Sequence, residues 1–195
     1  MKKTILIIVM ILLPVQGNAL EFDIWKTGEA KNKVIDKAKR EKIELNTPHA
    51  KVVKGGGVAS NEIHYSDDLF QEKAEVSLVF TKKTNVLYGI IIDWIGLENT
   101  GRGEALYEKI GNTLGEKYIK DGEVAGKESI INKKEHFKDC ATTTTKYKGG
   151  ISATLFRCNE KRFVSVSYID SKLEQQNLFE EKNAIKERNG DSGKF

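Results

Sequence analysis

The residues that could carry out chemistry are few, and the three histidines come first. His49 follows Pro48 in a segment that reads as a solvated loop. His64 could act as a general base, but no G-x-S-x-G serine accompanies it. His136 stands close to Cys140, and a histidine beside a cysteine can activate the thiol. No C-x-x-C or H-E-x-x-H spacing occurs, so we predict no metal and no cofactor.

Two other short motifs could contribute to a site. Asp67 and Asp68 form a tight acidic pair, but they lack the alternating acids, glycine and final glutamate of a calcium-binding loop. Gly101-Arg102-Gly103 precedes a predicted helix, where backbone N–H groups and the guanidinium could hold an anion. Glycine is commonest in turns, so a connecting turn is the better interpretation. We therefore assign no catalytic residue.

The cysteines Cys140 and Cys158 are the only two in the chain. A loop at Lys148-Gly149-Gly150 between two predicted strands would set Tyr147 opposite Ile151. Counting outward then places the two cysteines directly opposite each other, at a non-hydrogen-bonded pair whose Cα atoms are about 4.5 Å apart. This separation suits a disulfide bond, which is the pairing that we predict.

The N-terminus has the pattern of a secretory signal peptide. Two lysines precede an apolar run over residues 5–13, and small residues lead up to Ala19. We predict a signal peptide over residues 1–19, cleaved between Ala19 and Leu20. The apolar run is shorter than the roughly 20 residues that span a bilayer. No cysteine follows for lipid attachment, so we expect a periplasmic or secreted protein.

The charge balance speaks against nucleic acid as a partner. The formal net charge is +4, and it falls to +2 if Lys2 and Lys3 leave with the signal peptide. Acidic and basic residues are mixed along the chain, so no basic stripe forms. We expect no nucleic-acid partner and no stable membrane span after cleavage.

A central hairpin dominates the pattern of the remaining chain. Two apolar runs, 74–81 and 86–94, flank the polar residues Lys82-Lys83-Thr84-Asn85. A three-residue loop with Asn85 in the left-handed conformation fixes the register. The predicted cross-strand pairs are Phe80 with Tyr88, Leu78 with Ile90, and Val76 with Ile92.

The other predicted elements alternate between helices and strands. They are an arm or strand at 20–25, a helix at 29–40 capped by Thr27, a strand at 61–66, a helix from about Glu104, strands at 139–147, 151–158 and 162–169, and a final helix from Ser171 to about Glu187. Residues 120–134 read as a polar connection. In the second helix Leu106, Ile110, Leu114 and Tyr118 line one face. The last three strands should pair Leu155 with Val164, Ala153 with Val166 and Ile151 with Tyr168.

This order predicts an α+β fold of two layers, in which helices pack on antiparallel sheet. The domain would cover residues 20–188, followed by a disordered tail at 189–195. Its halves, 20–95 and 96–188, each place a helix before antiparallel strands. A tandem duplication is therefore a hypothesis from the pattern.

The first half resembles a known family type. A helix with Val34 and Ala38, the strand Val76 to Phe80, a polar turn and then Val86-Leu87-Tyr88 resemble small exported proteins of the SmpA/OmlA outer-membrane assembly type. The doubled arrangement is similar in outline to secreted β-lactamase inhibitors. Both families bind other proteins, which is what the resemblance implies here. It covers mainly residues 28–94, and the chain departs from the assembly family in lacking a lipid-attachment cysteine.

Two functions follow as hypotheses. The first is a non-enzymatic periplasmic or secreted binding or accessory protein. It would contact another periplasmic or envelope protein through a sheet face, a sheet edge or the glycine loop at 55–57. The second is a small periplasmic hydrolase or small-ligand-binding protein that uses His64, Asp67 or the turn at Gly101. This second hypothesis requires those groups to meet in one concave pocket.

Overall fold

The computed structural model describes residues 19–46, 61–97, 100–132 and 135–191. The predicted signal peptide before Ala19, His49 and the glycine loop lie outside these residues. Within them the chain forms three helices, a two-stranded antiparallel sheet and a seven-stranded antiparallel sheet. The elements are β1 (Glu21–Phe22), β2 (Trp25–Lys26), α1 (Lys31–Glu41), β3 (Glu62–Leu69), β4 (Glu72–Phe80), β5 (Leu87–Leu97), α2 (Thr100–Lys117), β6 (Lys120–Asn132), β7 (Glu135–Tyr147), β8 (Ile151–Cys158), β9 (Lys161–Ile169) and α3 (Ser171–Asp191). The predicted α+β class is confirmed, in a form dominated by sheet.

The seven-stranded sheet has the order β3-β4-β5-β9-β8-β7-β6. It consists of two meanders, β3 to β5 and β6 to β9, joined where their last strands pair antiparallel. In that central pair Ile92 lies opposite Val166, and Ile90 lies opposite Tyr168.

One face of this sheet, which we call the core face, packs against α1 and α2. Alternate residues of the strands point to it, including Leu78, Ile90 and Leu155, each of which is fully buried. Helix α1 contributes Val34 and Ala38 to the same hydrophobic cluster. Helix α2 contributes the predicted stripe of Leu106, Ile110 and Leu114, with Tyr118 partly buried beside it. We call the opposite side of the sheet the second face.

The predicted strand registers are confirmed, with one correction in the central hairpin. Leu78 pairs with Ile90 and Val76 with Ile92, and Asn85 takes a φ of 52°. The three predicted pairs between β8 and β9 also form. Phe80, however, pairs with Leu87, and Tyr88 is the extra residue of a β-bulge. The bulge lets both Phe80 and Leu87 enter the core while Tyr88 stays half-buried.

The disulfide between Cys140 and Cys158 is confirmed. Their Cα atoms are 4.5 Å apart, on the neighbouring strands β7 and β8. Both cysteines are buried with Phe163 in a small cluster on the second face. The ring of Phe137 covers this cluster at 5.1 Å from the ring of Phe163. The second face is thus partly apolar at the disulfide.

Strand β6 corrects the prediction of a polar connection at 120–134. Its residues pair with β7 over the whole length of the strand. Side chains from Asp121 to Ser129 are all exposed, so this part of β6 has no buried face. Hydrophobic alternation reports only strands that bury one side, and for this reason the pattern gave no signal.

Helices α1 and α2 begin at different residues from those predicted. Helix α1 begins after Ala30, and Thr27 is instead buried, where its hydroxyl accepts a hydrogen bond from the Leu20 N–H at 2.9 Å. Helix α2 begins at Thr100, so Gly101-Arg102-Gly103 forms its first turn. A Cβ at Gly103 would lie 2.4 Å from Arg162 Cβ, and only glycine permits this approach of α2 to β9.

Helix α3 begins at Ser171, as predicted, and Asp170 caps it. The Asp170 carboxylate accepts hydrogen bonds from the N–H groups of Lys172 and Leu173. The helix continues to Asp191, so it includes the first three residues of the expected disordered tail. Within the described residues, no helix has the length and apolar character needed to cross a membrane.

Candidate functional site

A cavity of about 480 Å³ lies on the core face. Its walls come from four parts of the fold: the β1–β2 hairpin, the end of β3 with its turn, the centre of the sheet, and α2. The lining residues are Glu21, Phe22, Asp23, Asp67, Leu69, Phe70, Ile92, Trp94, Ile110, Thr113, Leu114, Lys117, Tyr118, Val166 and Tyr168. We treat this cavity as the candidate site because segments distant in sequence converge on it.

The floor of the cavity is apolar. Ile92 and Val166 are opposite each other on β5 and β9, and both are buried. Ile110 and Leu114 are one turn apart on α2, so both project from the side of the helix that faces the sheet. The strand and helix periods thus bring aliphatic side chains to one surface, which favours an apolar ligand group over water.

Aromatic side chains stand at both ends of this floor. The ring of Tyr168 lies 5.7 Å from Phe22 and 6.5 Å from Tyr118. At the other end Phe70 and Trp94 have ring centroids 6.1 Å apart. Burial raises the pKa of Tyr168, and the neighbouring Tyr118 adds to this effect. The Tyr168 hydroxyl is therefore neutral at physiological pH.

The Phe70 ring is placed by an unusual turn. Phe70 and Gln71 connect β3 to β4 with φ angles of 56° and 69°, the left-handed conformation of a type I′ turn. Asparagine and glycine are the usual residues there, and a phenylalanine is strained. The ring contacts Trp94, and the Lys109 ammonium lies 5.4 Å from its centroid. These contacts offset the strain and hold an aromatic wall at the cavity.

The mouth of the cavity is acidic. Glu21, Asp23 and Asp67 line it together with one cation, Lys117. A hydrogen bond from Lys26, 2.7 Å from the Glu21 carboxylate, lowers the pKa of Glu21. Because Lys26 neutralises Glu21, only Asp23 and Asp67 remain against Lys117, and the rim keeps a small net negative formal charge. Apolar floor, aromatic ends and acidic rim together suit a ligand with an apolar body and a cationic head.

The second face carries a different polar cluster around His64. The Ser77 hydroxyl is 2.9 Å from His64 Nδ1, and the Glu62 carboxylate is 3.2 Å from Nε2. Glu75 approaches Nδ1 at 3.3 Å. The hydrogen bond with Glu62 raises the pKa of His64, and Glu75 and Asp93 add to it electrostatically. Burial raises the pKa of Asp93 itself, while its hydrogen bond with Ser165 acts in the opposite sense.

A serine, a histidine and a carboxylate are the side chains of a hydrolytic triad. Hydrolysis also requires N–H donors that stabilise the oxyanion. Ser77 lies in the middle of β4, between β3 and β5. Regular pairing on both sides engages the backbone N–H groups of that strand. Among the described residues around Ser77 we therefore find no pair of free N–H donors to stabilise an oxyanion.

The residues of the predicted hydrolase site do not come together in the described part of the chain. His64 and Asp67 are an odd number of positions apart on β3, so they point to opposite faces. Asp67 reaches the cavity, whereas Asp68 forms an exposed ion pair with Lys73 at 2.7 Å. Arg102 bonds to Glu72. Only Asp67 of these predicted residues belongs to the candidate site.

Neither His64 nor Arg102 lines the cavity. The described residues hold no group of three or more histidine, cysteine or carboxylate side chains placed to bind a metal. The side chain of His136 lies outside them. Trp25 and Trp94 are buried in the core, Trp94 lines the cavity, and Trp25 donates a hydrogen bond to the Tyr65 hydroxyl at 2.6 Å.

The aromatic walls of the cavity could not be predicted from the sequence pattern. Tyr118 and Tyr168 were predicted to face the core, which is correct, but pattern alone does not separate a packed aromatic from one that lines a cavity. Phe22 lies in the two-residue strand β1, and Phe70 lies in the turn between β3 and β4. Their approach depends on how the β1–β2 hairpin crosses the sheet, which no local signal specifies.

No protein-family model, no curated protein and no solved structure matches this chain. The resemblance of residues 28–94 to the exported assembly proteins therefore stays a prediction.

Proposed function

We propose that this protein is a non-enzymatic, exported binding protein whose core-face cavity holds an amphipathic ligand with a ring body and a cationic head. The observation that carries the proposal is the combination, in one cavity of about 480 Å³, of an apolar floor, aromatic ends and an acidic mouth. Small-molecule sites commonly measure about 300–1,000 Å³, so the volume is appropriate.

Charge is the basis of selectivity in this proposal. The carboxylates of Asp23 and Asp67 would attract a positive head, and the faces of nearby aromatic rings would add cation–π attraction. An anionic ligand of the same shape would meet repulsion at the rim. The ring body would displace water from Ile92 and Leu114.

Isothermal titration calorimetry with 1-naphthylmethylammonium tests the proposal. We expect this cation to bind at least about tenfold more tightly than 1-naphthaleneacetate, because only the cation complements the rim. Asp23→Asn with Asp67→Asn should remove most of this preference. Both substitutions keep the side-chain shape, and Asn tolerates the left-handed conformation of Asp23, whose φ is 51°.

Asp68→Asn is the matched control, because Asp68 follows Asp67 on β3 but points away from the cavity. It should leave the affinity unchanged. Equal affinity for the cation and the anion, or an equal loss in the control variant, would contradict the cavity as the binding site.

A second candidate function is contact with another envelope protein, and the exposed side of α3 favours it. Leu178, Phe179 and Ile185 are apolar yet 50%, 66% and 50% exposed. An apolar stripe on a helix fits a hydrophobic groove in a partner. A photo-crosslinking residue at Phe179 should capture one specific partner in the periplasm, and the same residue at the exposed Lys73 on β4 should not. Because the charges are mixed, we propose no nucleic-acid partner.

Export and processing belong to the same proposal. We propose a signal peptide over residues 1–19, cleaved between Ala19 and Leu20, and a periplasmic or secreted mature protein. A disulfide is compatible with either location. Leu20 is buried, and its backbone exchanges hydrogen bonds with Thr27, so the mature chain would begin with an anchored residue. Intact mass with and without reductant would report cleavage and the disulfide together.

We also infer a two-layer fold that arose by tandem duplication. Helix α1 before β3, β4 and β5 would correspond to α2 before the meander that ends in β9. Two observations support this: both helices pack on the core face, and the last strands of the two meanders pair antiparallel, as a two-fold relation requires. Superposition of the halves with matched strand order would support the inference, and mismatched order would count against it.

A further inference from the structure

One edge of the large sheet is open. Within the described chain, β6 is the terminal strand beyond β7. Register shifts occur between Lys120 and Gly122 and between Glu128 and Ile130, so residues 122–128 form a regular stretch. All side chains from Asp121 to Ser129 are exposed. The outward N–H and C=O groups of this stretch are therefore available to another strand.

The opposite edge of the sheet is different. On β3, the backbone N–H and C=O of His64 both bond to Asn46, at 2.9 and 2.7 Å. The segment that follows α1 thus occupies the outer edge of β3. A further strand could therefore pair with β6, whereas β3 is already bonded to Asn46.

The sequence of the open stretch complements itself. An antiparallel pairing of two β6 strands about Ala125 places Val124 opposite Gly126. The same pairing places Glu123 of each copy opposite Lys127 of the other. Glu123 and Lys127 share one side of the strand, because they pair with Thr145 and Ala141 of β7. A two-fold axis therefore creates two identical cross-strand ion pairs, each between Glu123 of one copy and Lys127 of the other.

We propose that the partner of this edge is a second copy of the chain, and that β6 pairs with β6 to join two seven-stranded sheets into one. Charged residues on an edge strand normally prevent such pairing by repulsion. Here the two-fold arrangement turns the same charges into attraction. The small, uncharged residues Val124, Ala125 and Gly126 at the centre let the backbones approach. This interface is independent of the cavity, which lies on the core face between the sheet and α2.

Sedimentation velocity of the purified, disulfide-bonded protein tests the proposal. A short edge-to-edge interface is small, so we expect a dimer with a dissociation constant on the order of micromolar to tens of micromolar. Glu123→Lys alone creates two Lys–Lys pairs, and Lys127→Glu alone creates two Glu–Glu pairs. Each variant should dimerise at least about tenfold more weakly than wild type.

Mixing the two variants provides the sharpest test. A heterodimer of Glu123→Lys with Lys127→Glu restores both attractive pairs, so the mixture should dimerise about as tightly as wild type, and more tightly than either variant alone. The exposed pair Asp68 and Lys73 on β3 and β4 supplies the control, because reversing either charge there should leave dimerisation unchanged. Circular dichroism should show native folding for all variants. A monomeric wild type, or a mixture that stays monomeric, would overturn the proposal.

Discussion

The two faces of the seven-stranded sheet are built from the same strands but follow different rules. On the core face Leu78 and Ile90 are cross-strand neighbours, and both are completely buried beneath helices. One residue along, Ser77 faces the opposite side and bonds to His64. Hydroxyl groups continue across that second face, with Ser152 and Ser167 2.8 Å apart and Thr144 and Thr154 3.0 Å apart. We therefore expect side chains on the core face to contribute most of the free energy of unfolding. Those on the second face should contribute mainly through polar cross-strand pairs.

We expect the largest difference in the free energy of unfolding between substitutions at two adjacent residues of β4. Leu78→Ala removes a side chain with no exposed surface and should destabilise the protein by about 2–5 kcal/mol. Ser77→Ala removes only a hydroxyl and should cost less than about 1.5 kcal/mol. Chemical denaturation of both variants measures the two values. Similar losses would show that the two faces contribute equally.

The disulfide is the strongest single contribution expected on the second face. Replacing both cysteines, Cys140→Ala with Cys158→Ala, opens a loop with a sequence separation of 18 residues. Chain entropy predicts a loss of roughly 3 kcal/mol. Chemical denaturation of the oxidised wild type and of the double variant measures this loss in the free energy of unfolding. Reductant should destabilise only the wild type. A loss below about 1 kcal/mol would mean that packing around Phe163 and Phe137 is sufficient without the bond.

A smaller, opposite effect is expected at the turn beside the cavity. Gln71 has a φ of 69°, which glycine adopts without strain. Gln71→Gly should therefore raise the free energy of unfolding by up to about 1 kcal/mol. The neighbouring substitution Phe70→Gly relieves the same strain but removes the ring from Trp94, so it should not stabilise. If both variants behave alike in thermal unfolding, the contact between Phe70 and Trp94 has no energetic role.

The smallest effect is a pH dependence on the second face. The Glu62 carboxylate raises the pKa of His64 above its ordinary value of 6.5. Folding therefore gains stability that is complete below pH 6.5 and is lost as the pH rises through the higher folded-state pKa. Solvent screening limits the gain to a few tenths of a kcal/mol. His64→Gln should flatten the stability profile between about pH 6 and 8, and an unchanged slope would exclude His64 as its source.

Much of the fold could be predicted because apolar runs and tight turns mark most of the strands. The registers of β4 with β5 and of β7 with β8 followed from counting outward from the turns at Asn85 and Gly149-Gly150. The disulfide followed from the same counting. Strand β6 could not be predicted, since an edge strand without a buried face has no alternation to detect.

The candidate site was largely beyond sequence reasoning for a related physical reason. Asp67 was noticed as an acid, but its partners at the cavity come from β1, α2 and β9. Their convergence depends on tertiary packing. The bulge at Tyr88 likewise reflects a preference for burying both Phe80 and Leu87, which a local turn rule does not include.

Nuclear magnetic resonance shows where on the protein a ligand binds. The isotope-labelled protein would be titrated with 1-naphthylmethylammonium while backbone amide shifts are followed. We predict that the largest changes occur at Ile110, Leu114, Val166 and Tyr168, with little change at Ser77 and Ser167. If the shift changes are concentrated on the second face, or if no residue of the cavity changes, the ligand does not bind in the core-face cavity.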